Sequence, residues 1–164
     1  MQESMHKVCD LMAVGRLGDE QAMREGIRLA TLARELGELP YGAVVLSTEG
    51  SAVGRGHDQV ETDSDLTSHA EILSVRDAVR HHGQSLRGCA LVSTVEPCAM
   101  CFSAAWTAGV SHLVFGLSMA ELLAIDPASM DEIAIDTVEL NQRTRRRLEL
   151  REGVLRMECL ALWT

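Results

Sequence analysis

Two short motifs in separate parts of the chain combine residue types that bind transition metals. The first is the run H-A-E at residues 69–71, and the second is the run P-C-A-M-C at residues 97–101. Proline suits the first turn of a helix, so a helix is predicted to begin near Pro97. Cys98 and Cys101 then lie three residues apart on that helix and can face one point. The chain must fold so that a second helix, beginning at His69, approaches the first.

One imidazole and two thiolates form a ligand set typical of zinc. His69, Cys98 and Cys101 would fill three of four tetrahedral positions and leave the fourth open for water. A structural zinc site does not need an acid beside a ligand. A hydrolytic site does, because a group must take a proton from water and deliver it to the leaving amine. Glu71 is therefore the predicted catalytic proton shuttle, and Zn²⁺ is the predicted cofactor.

Neither motif alone is specific for one chemistry. A single Cys-x-x-Cys pair is also typical of a redox pair or a structural metal site, and a single His-x-Glu carries little information. Together and in this order, the two motifs match the H-x-E…P-C-x-x-C signature of zinc-dependent deaminases. Cys9, Cys89 and Cys159 have no partner at metal-binding spacing and are interpreted as small apolar residues.

Alternating helical and strand patterns predict an α/β fold, with a sheet covered on both faces by helices. Helical periodicity covers residues 21–36, 69–81 and 97–108, and short apolar runs predict strands at 42–46, 52–56, 89–95 and 111–115. Residues 57–68 are expected to form a polar loop. Further along, we expect a helix at 117–125, a strand at 133–138 and a helix at 145–163. Residues 1–19 show no clear pattern and are predicted to be an N-terminal extension of one domain spanning 20–164.

Charge and hydropathy restrict the classes of partner. The chain has 164 residues and a net charge of −9, so long-range electrostatics disfavour a nucleic-acid partner. No apolar run is long enough for a membrane span, and the first residues do not resemble a secretory signal, so a cytoplasmic location is expected. An arginine cluster at residues 143–147 is the one feature that could support nucleic-acid binding, although solvated surface is the simpler interpretation.

Several segments resemble the cytidine deaminase superfamily, in the branch that holds cytosine, guanine and tRNA-adenosine deaminases. GELPYGAVVL (37–46) is similar to the branch's G-E-x-P-x-G-A-V segment, and GRGHD (54–58) to its G-x-G-x-N. DLTSHAEI (65–72) resembles D-P-T-x-H-A-E-I, and EPCAMC (96–101) fits as it stands. EGVLRMECLAL (152–162) resembles a tail common in this branch.

The resemblance implies a three-layer α/β/α sandwich around a mixed sheet of about five strands, and a homodimer or larger assembly. It also implies that the backbone at Ala70 and Glu96 contacts the reacting edge of the substrate. At position 58 the family usually has an asparagine that touches the substrate base, whereas this chain has Asp58. The segment FGLSMAELLA (115–124) lacks the pattern F-G-A-x-D-x-K-x-G-A of the tRNA deaminases.

Three functions follow from these observations. The first is hydrolytic deamination of a small heterocyclic amine, such as guanine, cytosine or an amino-rich analogue, with Asp58 accepting hydrogen bonds from the ring. The second is deamination of adenosine in tRNA, which the HAEI motif and the tail favour and the charge disfavours. The third is a zinc-stabilised interaction module without catalysis, which Glu71 argues against. Ammonia release from bases, nucleosides and tRNA would distinguish these functions.

Overall fold

The computed structural model describes the backbone of residues 2–127 and 133–164, and side chains from Gly18 onward within these ranges. The strands are β1 (Gly42–Leu46), β2 (Ala52–His57), β3 (Ala90–Val95), β4 (His112–Leu117) and β5 (Glu149–Arg151). The helices are α1 (Gln2–Glu35), α2 (Val60–Asp63), α3 (Ala70–His82), α4 (Ala99–Ala108), α5 (Met119–Ile125), α6 (Thr137–Gln142) and α7 (Arg156–Leu160), followed by a 3₁₀ turn at Ala161–Trp163.

The five strands form one mixed sheet in the order β2-β1-β3-β4-β5. Strand β1 pairs antiparallel with both β2 and β3. Strand β4 pairs parallel with β3 on one side and with β5 on the other. Side chains alternate between the two faces along each strand, so both faces must be covered. The predicted mixed five-stranded sheet is confirmed.

Helices cover both faces of this sheet. On one face, Val45 and Leu91 pack in a cluster that includes α3 and α4 residues such as Ala78 and Phe102. On the other face, Val44 packs with residues of α1 and with Cys159 of α7. The alternation predicted from the apolar runs therefore gives the expected three-layer α/β/α sandwich.

Two glycines of β2 let α3 lie directly on the sheet. A Cβ atom at Gly54 would lie 2.2 Å from the carbonyl oxygen of Ser74, and one at Gly56 would lie 2.2 Å from that of Ala70. No side chain fits at such distances, so the close approach requires glycine. This contact fixes the beginning of α3, where His69 and Glu71 are located.

The second half of the chain departs from two predicted elements. The strand expected at 133–138 is wrong, because residues 133–136 form no strand and α6 begins at Thr137. Asp136 caps α6 by accepting a hydrogen bond from the Glu139 amide, which favours helix over strand. The part of the sequence between 128 and 132 lies outside the described residues.

The helix expected at 145–163 is also wrong over most of its length. Residues Glu149–Arg151 form β5, whose residue Leu150 lies beside Leu113 of β4. Gly153 has a φ of 76°, which interrupts any helix, and α7 begins only at Arg156. The apolar residues of this segment are thus divided between a sheet edge and a short helix.

Two smaller differences lie near the predicted boundaries. The expected loop at 57–68 contains one helical turn, α2, and β2 extends to His57. Helix α1 begins at Gln2 rather than near residue 21, so the backbone is helical across the predicted boundary at 19/20. The division into an extension and a domain remains a prediction. No helix in the described ranges is both long and apolar enough to cross a membrane.

Candidate metal centre and active site

The predicted metal ligands lie at the beginnings of two helices on one face of the sheet. His69 is the N-cap residue of α3, and Cys98 is the N-cap residue of α4. Cys101 lies in the first turn of α4, three residues after Cys98. Helix N-termini carry partial positive charge, so both helices favour thiolates and other anions at this point. The structure therefore brings together all three residues that the motifs predict.

The spacing of the three ligand atoms fits zinc. His69 Nδ1 lies 3.9 Å from Cys98 Sγ and 3.5 Å from Cys101 Sγ. All three ligand atoms lie within 4.8 Å of one another. With ordinary Zn–S and Zn–N bond lengths, a tetrahedral site separates sulfur and nitrogen by about 3.6 Å. The residues present can hold Zn²⁺ without a change of backbone.

The thiols are already prepared to act as ligands. A hydrogen bond from the Cys101 thiol is the main cause that lowers the pKa of Cys98, to about 4, although burial opposes this shift. His69 and the backbone amide of Cys101 lower the pKa of Cys98 further. This lowered pKa favours the thiolate of Cys98, which is the form that binds metal. By contrast, burial raises the pKa of both Cys89 and Cys159.

Glu71 is a buried acid beside this centre. Its side chain is 5% exposed, and Oε1 accepts a hydrogen bond from Ser93 Oγ at 3.0 Å. Burial, followed by the charge of Cys98, raises the pKa of Glu71 to about 7. A bound divalent cation would offset the thiolate charge and lower this pKa again. A carboxyl group in such surroundings can both accept and release a proton near neutral pH.

A pocket opens in front of the ligands and the acid. Its polar lining residues are His69, Glu71, Glu96 and Cys98. Its apolar or aromatic lining residues are Tyr41, Val95 and Met119. Four of these residues are predicted from the sequence, whereas Tyr41, Val95 and Met119 are not. Tyr41 lies within the GELPYGAV segment that resembles the family, so this resemblance could have indicated a place near the site. Met119 lies in the segment that lacks the pattern of the tRNA deaminases, so the family resemblance does not indicate that it lines the pocket.

Two predicted substrate-binding residues lie outside this lining among the described side chains. Ala70 is fully buried as the first residue of α3, and its carbonyl oxygen lies against Gly56. Asp58 lies directly behind the pocket wall, because its amide donates to the carbonyl oxygen of Tyr41 at 3.1 Å. Their contact with substrate remains a prediction.

The Asp58 carboxyl group is buried beside a second carboxyl group, that of Glu38. Burial is the main cause that raises the pKa of Asp58 to about 6, and Glu38 contributes to the same shift, whereas the Val60 amide and His69 oppose it. Both oxygens of Glu38 accept hydrogen bonds from backbone amides, those of Glu61 at 3.0 Å and Thr62 at 2.7 Å. Burial opposes the change, but these hydrogen bonds lower the pKa of Glu38, so Asp58 is the carboxyl group of the pair that takes up a proton first as the pH falls.

The C-terminal turn contacts the pocket through one aromatic pair. The rings of Tyr41 and Trp163 meet edge to face, with centroids 5.2 Å apart. Arg34 of α1 donates to the carbonyl oxygen of Leu162 at 3.1 Å and holds this turn in place. The Tyr41 wall thus depends on residues from both ends of the domain.

The arginine cluster at 143–147 is largely engaged within the protein. Arg146 donates to the carbonyl oxygens of Val110 and Trp106, and its guanidinium lies 5.3 Å from the centroid of the Trp106 ring. Arg143 pairs with Glu139, and Arg147 donates to the carbonyl oxygen of Asn141. Arg146 therefore joins the C-terminal part of the chain to α4, whereas Arg143 and Arg147 contact residues of α6.

Residues 17–117 match the family model of the cytidine and deoxycytidylate deaminase zinc-binding region. The chain belongs to this family. The predicted superfamily and the predicted zinc cofactor are therefore confirmed. The matched residues include both motifs and all three ligands of this deaminase domain.

This deaminase domain is similar to proteins with different names and activities. It is 46% identical over 96 residues to the tRNA(Ile)-lysidine synthase of Deinococcus radiodurans, a match that covers 58% of this chain and 16% of that protein. It is 34% identical over 142 residues to the tRNA-specific adenosine deaminase of Bacillus subtilis, covering 86% of this chain and 83% of the relative. Among solved structures, guanine deaminase from Nitrosomonas europaea has a TM-score of 0.78 at 26% identity, covering 88% and 81% of the two chains.

Loss of one thiolate should remove the metal. We expect about one zinc per chain in the purified protein, because three ligands and one open position form a single site. Cys98→Ser or Cys101→Ser should lose most of the zinc, as measured by elemental analysis after dialysis. Cys159→Ala, which removes a buried thiol from the core cluster on the other face of the sheet, should keep it. Folded wild-type protein that binds no zinc would contradict the assignment.

Proposed function

We propose that the protein catalyses hydrolytic deamination of an aminopurine. The observation that carries the proposal is the position of Glu71, a buried acid in the same pocket as a three-ligand zinc site. An interaction module stabilised by zinc would not need a buried acid facing a pocket. A hydrolase needs one, because protons must move between water, ring and leaving group.

The residues have distinct roles in this reaction. His69, Cys98 and Cys101 would hold Zn²⁺, which supplies a water of lowered pKa as a nucleophile. Glu71 would accept the two protons of that water one after the other, and would deliver the first to the ring nitrogen and the second to the leaving amine. The water oxygen replaces nitrogen on the ring carbon, and ammonia leaves. Ser93 donates to Glu71 Oε1 and orients the carboxylate during these transfers.

The first candidate substrate is adenosine in tRNA. Support comes from the tRNA-specific adenosine deaminases, which the chain matches over most of their length. The relatives thus favour tRNA over the free nucleobase that the sequence indicates. For a nucleic acid, the net charge of −9 requires a local basic surface.

The second candidate is a free aminopurine such as guanine. Three of the arginines at 143–147 are engaged with protein groups, which leaves less of the cluster for phosphate. The similarity to guanine deaminase from Nitrosomonas europaea supports the same candidate. A homodimer, implied by the family resemblance, and a cytoplasmic location are further proposals.

Product analysis on a fixed panel tests the proposal. Zinc-loaded protein is incubated with guanine, cytosine, adenosine and unmodified tRNA, and ammonia and deaminated products are quantified by mass spectrometry. Inosine in digested tRNA supports the first candidate, and xanthine from guanine supports the second. Release of ammonia from none of the four would contradict the proposed reaction on these substrate classes.

Removal of the proton shuttle should abolish turnover without removing the metal. Glu71→Gln keeps the size of the side chain but cannot transfer a proton, so kcat should fall about 10²-fold or more. Zinc content should stay at the wild-type level. Glu149→Gln, which alters an exposed carboxylate paired with His112, serves as the matched control and should leave kcat unchanged. Near-normal turnover in Glu71→Gln would refute this role.

Asp58→Asn should change the preference among substrates. An ionised Asp only accepts hydrogen bonds, whereas Asn both donates and accepts. If Asp58 faces the bound ring, the ratio of kcat/KM for guanine to that for adenosine should shift by about tenfold, the effect of one unmatched buried polar group. Because the pKa of Asp58 is about 6, the wild-type ratio should also vary with pH across that value, and that of the variant should not. Equal ratios and equal pH profiles would exclude Asp58 from substrate recognition.

A further inference from the structure

The side chain of Glu96, a residue that lines the pocket, binds the beginnings of two helices. Glu96 is a buried residue, with 6% of its surface exposed. Oε2 accepts a hydrogen bond from the Met119 amide at 2.8 Å, and Oε1 accepts from the Thr137 amide at 2.8 Å and the Thr137 hydroxyl at 2.9 Å. Met119 is the first residue of α5, and Thr137 is the first residue of α6.

We propose that Glu96 is a positioning residue that sets the Met119 wall of the pocket and thereby the fit of the substrate. This inference rests on the proposed function. It assigns the carboxylate of Glu96 a role separate from the backbone contact that the family resemblance implies.

The hydrogen-bond pattern suits a side chain that only accepts hydrogen bonds. Three donors converge on two oxygens, and a carboxylate is the side chain that offers acceptors alone. Hydrogen bonds to a buried charged acceptor are stronger than neutral ones. The single side chain of Glu96 therefore holds two segments that are separated by more than ten residues in sequence.

The same residue connects this wall to the metal ligands. The Glu96 amide donates to the carbonyl oxygen of Leu117 at 2.7 Å, which joins the ends of β3 and β4. Cys98 follows two residues later, and Met119 packs on the cluster that contains Cys98 and Cys101. A displacement of α5 would therefore move Met119 relative to the ligands while α3 and α4 keep their places.

This wall lies in the segment where the chain departs from the tRNA deaminases. Residues 115–124 lack the pattern of those enzymes, and Met119 is the pocket residue that they contribute. The zinc ligands and Glu71 lie on other elements. Loss of the Glu96 contacts should therefore weaken substrate binding more than the chemical step, since the groups that perform the chemistry remain in place.

The test compares Glu96→Gln with Glu149→Gln in the zinc-loaded protein. Gln places an NH₂ group against at least one of the backbone or hydroxyl donors, so one buried donor loses its acceptor. For whichever panel substrate the wild type turns over, KM should rise about tenfold while kcat changes less than about threefold. Glu149 is an exposed carboxylate of β5 paired with His112, so Glu149→Gln should leave both constants unchanged.

Two further measurements distinguish positioning from a general loss of stability. Hydrogen exchange at the Met119 and Thr137 amides should accelerate in Glu96→Gln, whereas exchange within α4 should not. Met119→Ala should also raise KM, and the double variant Glu96→Gln/Met119→Ala should show less than the product of the two single effects, because both act through one wall. Thr137→Ser, which keeps the hydroxyl, should behave as wild type, and Thr137→Val should not.

The outcomes separate this inference from the proposed function. Unchanged KM or unchanged exchange in Glu96→Gln, with normal turnover by the wild type, overturns the role of Glu96 alone. Independent effects in the double variant also overturn it, because Glu96 would then act elsewhere than on Met119. A wild type that deaminates no member of the panel overturns the proposed function, and this inference with it.

Discussion

The close contact between α3 and β2 determines where the chemistry of this domain can occur. Gly54 and Gly56 allow the helix backbone to touch the strand, with no side chain between them. Since His69 and Glu71 lie at the beginning of α3, their positions relative to the sheet are set by backbone contact rather than by flexible side chains. The beginning of α4 lies on the same face of the sheet. Cys98 and Cys101 therefore lie next to His69, whose position is fixed by the contact between α3 and β2.

The local motifs are sufficient to predict the metal ligands and the first four strands. Ligand spacing at a helix beginning is a local property, and alternating apolar runs are similarly short-range. The helix predicted at 117–125 is found as α5, but the segment after residue 125 cannot be predicted in the same way, because its structure depends on distant partners. Residues Glu149–Arg151 become a strand only because the edge of β4 is available, and α6 begins where Asp136 and the distant Glu96 supply acceptors. Periodicity cannot report such contacts.

The groups that would perform the chemistry and the groups that would select the substrate lie in different parts of the molecule. The centre formed by His69, Glu71 and the cysteines suits the deamination of either candidate. The parts that would distinguish these substrates are Asp58, the Met119 wall and the arginines near α6. In the cluster that the sequence suggests for phosphate binding, Arg146 attaches the C-terminal part of the chain to α4, whereas Arg143 and Arg147 contact residues of α6. Sequence alone shows the charges but not their partners.

The hydrogen bond between Cys101 and Cys98 has a consequence for the protein before it acquires metal. A thiolate beside a thiol, in a Cys-x-x-Cys turn, is the pair of groups that oxidants convert into a disulfide. Zinc and disulfide formation therefore compete for the same two sulfur atoms. Protein synthesised in metal-poor medium and purified in air would lose two ligands in one event. A reductant would then restore metal binding that added zinc alone could not.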